Sequence, residues 1–455
     1  MFKKIEVWVV LILMFISLLF TIVFGALVRH EILAPKSQLP RISKAALFIA
    51  EMPSNINRIL NGMNSDLRLD NRFPSTGGFQ GIGNDFDSYL LLSRYSGEKQ
   101  ESIVELIDLK DFKKIHEWNP DIDKLNSLIT NPEEFTNLKR DRNNRRFNIS
   151  HPLFFKDGSI VFHGGGTALT KIDQCSKLIW QNSEDRFHHS IETDDEGYIF
   201  VPVHIYPFHV NKKYIGNSIE NYFDDGIAKI SEDGSLIYKK SISNIFIENN
   251  MHSNLFAMSN GEFNEDPIHL NDIQPLLNDT VFGSKGDLLL SLRHQSMIIL
   301  YRPSSNEIVW QSSGNMIRQH DVDILDSERI SIFNNNSPLS FNGEIVDGHN
   351  EVLIYNFKNS KISKYLNDSI KRNDIRTISG GTSQILDNGD LFIEETNYGR
   401  SVYINSDGSL RWQHVNQEKN SVYGVTWSRI LYKDSDIANV KNFLSNKSNC
   451  NQKPF

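Results

Sequence analysis

Tyr403-Ile-Asn-Ser-Asp-Gly-Ser-Leu-Arg-Trp412 reads as a β-hairpin: an apolar run, an Asp-Gly turn, and a second run that ends in a large aromatic. The same plan returns in Lys171-Ile-Asp-Gln-Cys-Ser-Lys-Leu-Ile-Trp180, Lys229-Ile-Ser-Glu-Asp-Gly-Ser-Leu-Ile-Tyr238 and Leu300-Tyr-Arg-Pro-Ser-Ser-Asn-Glu-Ile-Val-Trp310. Working outward from these hairpins gives repeated units near 82–118, 143–182, 186–246, 267–313, 317–365 and 376–415. A last strand around Val422 to Tyr432 would complete the first unit and close a ring. Repeats of roughly 40 to 60 residues, each about four strands, are the pattern of a β-propeller. The terminal Trp or Tyr is expected to pack between sheets, since large aromatics usually serve cores.

The expected fold is therefore all-β, a six-bladed β-propeller preceded by an N-terminal transmembrane helix and a short helical stalk. Val7 to Val28 is uncharged and nearly all apolar, long enough to cross a bilayer, and Lys3 and Lys4 precede it. A cleaved signal peptide is the competing reading; the length of the run and the lack of a small-x-small site favour an anchor. The chain divides into a cytoplasmic tip and anchor (1–30), a stalk (31–77), the propeller (78–435) and a C-terminal tail (436–455). Ile42 to Leu60 has helical apolar spacing interrupted at Pro53, which predicts one or two short helices in the stalk. No other long helix is expected.

The chain has 455 residues, 39% of them hydrophobic, and a net charge of −8. That balance excludes a broad nucleic-acid face, and an anionic ligand would have to be held by local charge. Cys175 and Cys450 lack CxxC spacing, so zinc ribbons and thioredoxin-type chemistry are excluded. The two cysteines form one disulfide or remain two thiols.

Aligning the unit openings sets His151-Pro-Leu-Phe-Phe, His189-Ser-Ile-Glu, His269-Leu-Asn-Asp-Ile, His320-Asp-Val-Asp-Ile and Gly381-Thr-Ser-Gln-Ile in one column. The innermost strand of every blade starts at the same end of the channel, so these distant residues would meet around the axis. A lone histidine opening a strand usually serves structure, but three or four at one repeat position call for more. The following strands add His163, His204 and Arg293; of these, the two histidines read most simply as structural. His151, which precedes a proline, also reads as a turn residue. Three imidazoles could hold a catalytic zinc, yet Arg293 beside them favours an anion, and no metal or other cofactor is expected. The Gly164-Gly-Gly-Thr167 run lacks the lysine of a phosphate loop, and no G-x-S-x-G elbow occurs.

The blocks His188-His189-Ser-Ile, His269-Leu-Asn271, Ser291-Leu-Arg293-His294-Gln-Ser296 and Gln319-His320-Asp321, in this order, resemble the bacterial arylsulfate sulfotransferase family over residues 80 to 415. The resemblance implies sulfuryl transfer from a phenolic sulfate ester to a phenolic acceptor, without a nucleotide sulfate donor. It makes His320 the nucleophile that is transiently sulfated, and His269, Asn271 and Arg293 the groups that hold the sulfuryl oxygens. His189 or its neighbour His188 would act at the sulfuryl or phenol oxygen, and His294 and Thr382 join the substrate-binding set.

The chain departs from secreted members in having an anchor and stalk where they carry an N-terminal β-sandwich, and in lacking a close cysteine pair near the site. The expected setting is a single pass through the inner (plasma) membrane, with the catalytic domain periplasmic or extracellular. Homo-oligomerisation is left open. The competing reading is a non-catalytic propeller that binds a ligand or a protein, and a third is a metal-dependent hydrolase built on the same histidines.

Overall fold

The structure, a computed structural model, describes residues 6–33, 40–60, 68–132, 135, 138, 142–206, 208, 210, 212–215, 222–257, 263–447 and 450. Parts of the expected stalk (34–39 and 61–67), tail (448–449 and 451–455) and the loop 206–225 lie outside these residues. The chain forms two units, Met1–Asp66 and Leu67–Phe455.

The first unit holds two helices, Val7–Leu33 and Pro40–Leu60. Val7–His30 is long and apolar enough to cross a membrane, and none of it is buried. Pro53 does not split the second helix as expected; Pro40–Leu60 is continuous through it. A proline removes one intrahelical hydrogen bond, and here the turns on both sides persist. Pro40 itself stands at the first helical position, where its missing N–H costs nothing.

The second unit is built from antiparallel sheets in chain order. Arg429–Leu431 pairs with Tyr89–Ser96, which continues into Glu101–Asp108 and Lys113–Trp118. Next comes an eight-stranded sheet running from Ser150–Phe154 to Leu236–Ser241. Two units expected to be separate are joined in it, because Val203 pairs with Phe187 and His204 with Arg186. A four-stranded sheet from Leu270–Pro275 to Glu307–Ser313 follows, then another from Val322–Ile324 to Lys361–Lys364. In the last, the strands from Thr382–Ile385 to Leu410–Val415 are extended by Gly78–Gly81 from the start of the unit.

The aromatic that ends each hairpin reaches into the next repeat unit. The Trp118 indole N–H donates to the Gly158 carbonyl at 3.0 Å, and that of Trp180 to the Glu232 carbonyl at 2.9 Å. Tyr238 and Tyr301 meet through their hydroxyls at 3.2 Å, and the Trp310 ring lies 5.0 Å from Tyr355 and 4.8 Å from Phe357. Trp412 is fully buried and donates to Asn84 Oδ1 at 3.1 Å, just before the first sheet. The hairpins at 172, 230, 301 and 404 each carry a register shift, which adds the local twist that turns the aromatic toward its neighbour.

A helix at Asp434–Asn446 was not expected. Its Val440 and Phe443 are buried, and the Phe443 ring packs 5.0 Å from His116 and 5.8 Å from Phe154. Beyond it, Cys450 forms a disulfide with Cys175, with the two Cα atoms 5.4 Å apart. This decides between the two states the cysteine spacing left open and ties the chain end to the eight-stranded sheet.

Candidate active site

Convergence of the unit openings has a visible cause. A side chain from one repeat unit accepts backbone N–H groups at the opening of the next. His151 Nδ1 takes Ile191 (2.8 Å), Asp225 takes Leu270 (2.7 Å) and Asp272 takes Val322 (3.1 Å). Asp321 takes Ser383 (2.8 Å), and Glu394 takes both Trp427 (2.6 Å) and Ser428 (2.8 Å). The chain also turns sharply there: His151, His189, His269, Arg318 and Trp427 all have φ between 44° and 61°. Left-handed backbone at non-glycine residues costs on the order of 1 kcal/mol each and persists only where the surroundings enforce it.

The result is a cavity of about 680 Å³ lined by His189, His269, Arg293, His320, Glu344, Gly380 and Trp427, among others. The His189 ring centroid lies 5.1 Å from that of His269 and 6.3 Å from that of His320, and Trp427 stands 6.1 Å from His189 and 6.5 Å from His320. Four of the residues singled out from sequence thus share one space.

His320 is almost wholly buried. Its Nδ1 is 2.7 Å from Asn335 Oδ1, which accepts because the Asn335 amide donates to the carbonyls of Thr377 and Gly380. Nδ1 therefore carries the proton and Nε2 the lone pair, which receives the Gly380 N–H at 2.9 Å. Burial, with Arg293 adding to it, holds the ring well below the usual histidine range, hence neutral.

His269 donates from Nδ1 to Asp266 Oδ2 at 2.6 Å, leaving Nε2 as its second nitrogen toward the cavity. Arg293 is nearly buried, with Nη1 3.0 Å from His294 Nε2 and Nη2 2.5 Å from Glu344 Oε2. Glu344 also pairs with Arg318, so one carboxylate bridges two guanidinium groups at the cavity wall.

The other expected residues lie elsewhere. Asn271 is fully buried behind the wall, donating to the Gln319 carbonyl at 3.2 Å, next to His320. His294 donates from Nδ1 to the Asp266 carbonyl at 2.7 Å and supports Arg293 from outside the cavity. Thr382 donates to Asp321 at 2.7 Å and lines a different cavity, of about 620 Å³, with Glu192, Asp323 and Arg429. At that unit the group facing His320 is the Gly380 N–H, one residue before the aligned Gly381. His188 turns away from the cavity: its Nδ1 meets His189 Nδ1 at 2.6 Å and its Nε2 is 3.4 Å from Asp225 Oδ1. His163 accepts the Gly165 N–H on Nδ1 and donates from Nε2 to the His189 carbonyl, a structural role. His204 pairs with Asp225 at 3.0 Å.

Asp225, Asp266, Asn335, Glu344 and Trp427 are not among the residues that the sequence pattern singles out. Trp427 had a signal, since it opens the strand that completes the first unit.

Among the described residues, two groups could offer three ligands to a metal ion, His188 with His204 and Asp225, and Asp266 with His269 and His294. In the first, the stacked imidazoles both meet Asp225 Oδ1, His188 Nε2 at 3.4 Å and His204 Nδ1 at 3.0 Å.

The family described as Arylsulfotransferase (ASST) matches residues 151–417. Among solved structures, a protein of unknown function from Bacteroides caccae is 13% identical, with 75% of this chain and 98% of that chain covered and a TM-score of 0.45. A streptogramin B lyase is 11% identical (77% and 96% covered, TM-score 0.37), and the WD40 beta propeller domain of Doa1 is 12% identical (81% and 98%, TM-score 0.38). No curated protein matches the sequence. The family match takes in more than half of the sequence and contains His189, His269, Arg293 and His320, and the chain accordingly belongs to the arylsulfotransferase (ASST) family.

Proposed function

We propose that this protein is a membrane-anchored, extracytoplasmic sulfotransferase that moves a sulfuryl group from an aryl sulfate to a phenolic acceptor through a sulfohistidine at His320. The scaffold in this reading is a six-bladed propeller, with the eight-stranded sheet counted as two blades. The apolar helix Val7–His30 is its single-pass anchor in the inner (plasma) membrane, with the N-terminus cytoplasmic. The observation that carries the proposal is the meeting of three imidazoles and the Arg293 guanidinium on one cavity.

A neutral His320 with its proton fixed on Nδ1 has the Nε2 lone pair available for sulfur. Attack displaces the Gly380 N–H from Nε2, freeing that donor for a sulfuryl oxygen. Arg293 holds further oxygens with its planar fork once the substrate's charge replaces Glu344. Departure of the first phenolate and return of a second phenol complete a ping-pong cycle, in which the imidazole divides one displacement into two.

The experiment is incubation with 4-nitrophenyl sulfate and a phenol. Nitrophenol release together with a sulfated His320 peptide in mass spectrometry supports the proposal. Absence of both, or release that survives His320→Ala, overturns it and leaves the binding-module reading.

A further inference from the structure

Behind His189, on the side away from the cavity, lies a row of polar groups that sulfuryl transfer at His320 does not itself use. His188 Nδ1 and His189 Nδ1 approach to 2.6 Å, a separation that requires one proton between them. His188 is about 5% exposed, and its Nε2 has no hydrogen-bond partner within normal reach among the described residues. Asp225 Oδ1 lies 3.4 Å from that nitrogen. Asp225 is buried too, and it is held as a carboxylate. Its Oδ2 takes the Leu270 N–H at 2.7 Å, and Oδ1 takes His204 Nδ1 at 3.0 Å.

Only one proton arrangement suits all four atoms in the uncharged pair. If His188 Nδ1 donated to His189, His188 Nε2 would present a lone pair to a buried carboxylate. With the proton on His189 Nδ1 instead, His188 accepts it and keeps an N–H on Nε2 for Asp225. His189 Nε2 is then a lone pair facing the cavity, where a hydroxyl acceptor would sit.

We infer that His189, His188 and Asp225 form a relay that takes the proton from the acceptor hydroxyl in the second half of the sulfuryl-transfer cycle. The inference rests on the function proposed above. In the step, the acceptor oxygen bonds to sulfur as the N–S bond to His320 breaks and that electron pair returns to Nε2. The acceptor's O–H proton passes to His189 Nε2, and the proton on His189 Nδ1 crosses to His188 Nδ1. The positive charge ends on His188 as an imidazolium whose Nε2–H faces Asp225. The first half-reaction runs the same row in reverse: the proton on His188 returns through His189 to a weakly acidic leaving phenol, whereas an acidic one such as nitrophenol leaves as the phenolate and the proton passes to solvent. Burial keeps both imidazoles neutral beforehand, with the His188 ring held at about 4, and the burial cost on Asp225 is outweighed by its bonds to His188 and His204. His188 and Asp225 are positioning residues here, since neither touches substrate.

Two measurements on the full-length protein in detergent micelles test this. In the first, His188→Gln and Asp225→Asn are compared with the native chain in the rate of the nitrophenol burst from 4-nitrophenyl sulfate and the rate of transfer to phenols of graded acidity. The expected result is a ratio of transfer to burst at least tenfold lower for weakly acidic phenols, recovering for acceptors already ionised. A fall that is equal for every acceptor, or no change in the ratio, overturns the relay. In the second, nitrogen NMR of ¹⁵N-histidine protein reads protonation at each ring atom without any turnover. The relay requires the His189 proton on Nδ1 and the His188 proton on Nε2, with the latter lost or shifted in Asp225→Asn. The opposite tautomers, or stoichiometric metal bound at His188 and His204, overturn it even if the enzyme proves active. A missing burst in the native chain together with the expected tautomers would count against the proposed function alone.

Discussion

His320 and Asn335 are joined by a single hydrogen bond of 2.7 Å that has no freedom to reverse, because the Asn335 amide is committed to the carbonyls of Thr377 and Gly380. The asparagine therefore sets which imidazole nitrogen carries the lone pair. Replacement by alanine leaves a buried N–H without a partner and releases the tautomer. Asn335→Ala should lower turnover of 4-nitrophenyl sulfate by about 10²- to 10⁴-fold, by analogy with other histidines held in the wrong tautomer. Circular dichroism should be unchanged.

Arg293 offers a fork, and lysine offers a point charge. Arg293→Lys keeps the sign of the charge but removes one of two parallel hydrogen bonds, worth roughly 1.5–3 kcal/mol when charge-assisted. The value of kcat/KM should fall about 10- to 100-fold, measured by initial rates over a range of donor concentrations. Retention of full activity would show that the guanidinium does not meet the sulfuryl group.

In the second cavity, Asp323 has its carboxyl pushed up to about 8, first by burial and then by Asp272 and Glu192. A carboxyl raised in the folded state contributes stability that is fully present below its unfolded value of 3.8 and is lost as pH rises through 8. Asp323→Asn cannot ionise, so its Tm advantage over the native chain should grow between pH 4 and pH 8 and level off above. Thermal melts of the two proteins at matched pH check this, and the other carboxyls titrate in both.

Cys175–Cys450 fastens the segment after the C-terminal helix to the eight-stranded sheet, across 275 residues of sequence. Removing a cross-link over so long a loop costs about 2–5 kcal/mol. Reduction, or the Cys175→Ser/Cys450→Ser double variant, should lower Tm while leaving the kinetics at the histidine cavity nearly unchanged. Melts with and without reductant, alongside an activity assay, separate the two effects.

The hairpins were legible because their aromatics recur at a fixed place beside a turn signal, and contacts such as Trp118 to Gly158 repay that repetition with a common packing role. His189, His269 and His320 were legible for the same reason, each standing at the start of an inner strand. Position in the repeat did not tell which way a side chain faces once the backbone enters the left-handed region. His189 therefore lines the cavity while His188, touching it at 2.6 Å, does not, and Asn271 lies behind the wall. Thr382 stands at the repeat position, but the contributing group there is the Gly380 N–H, and a backbone donor leaves no mark in side-chain identity. Asp225 and Glu344 escaped because their partners are distant in sequence, at His188 and at Arg293. The helix Asp434–Asn446 did carry a readable apolar face in Ile437, Val440, Phe443 and Leu444.

The first sheet takes its strand Arg429–Leu431 from near the end of the chain, and Ser93 bonds Ser428 across 335 residues. A ribosome must therefore add the 335 residues that separate Ser428 from Ser93 before that sheet can be finished. Until then the early strands expose an unpaired edge, and contacts of such long sequence separation form slowly. The strand at 429–431 is thus a latch: its arrival, more than any step within the early strands, closes the edge they leave open.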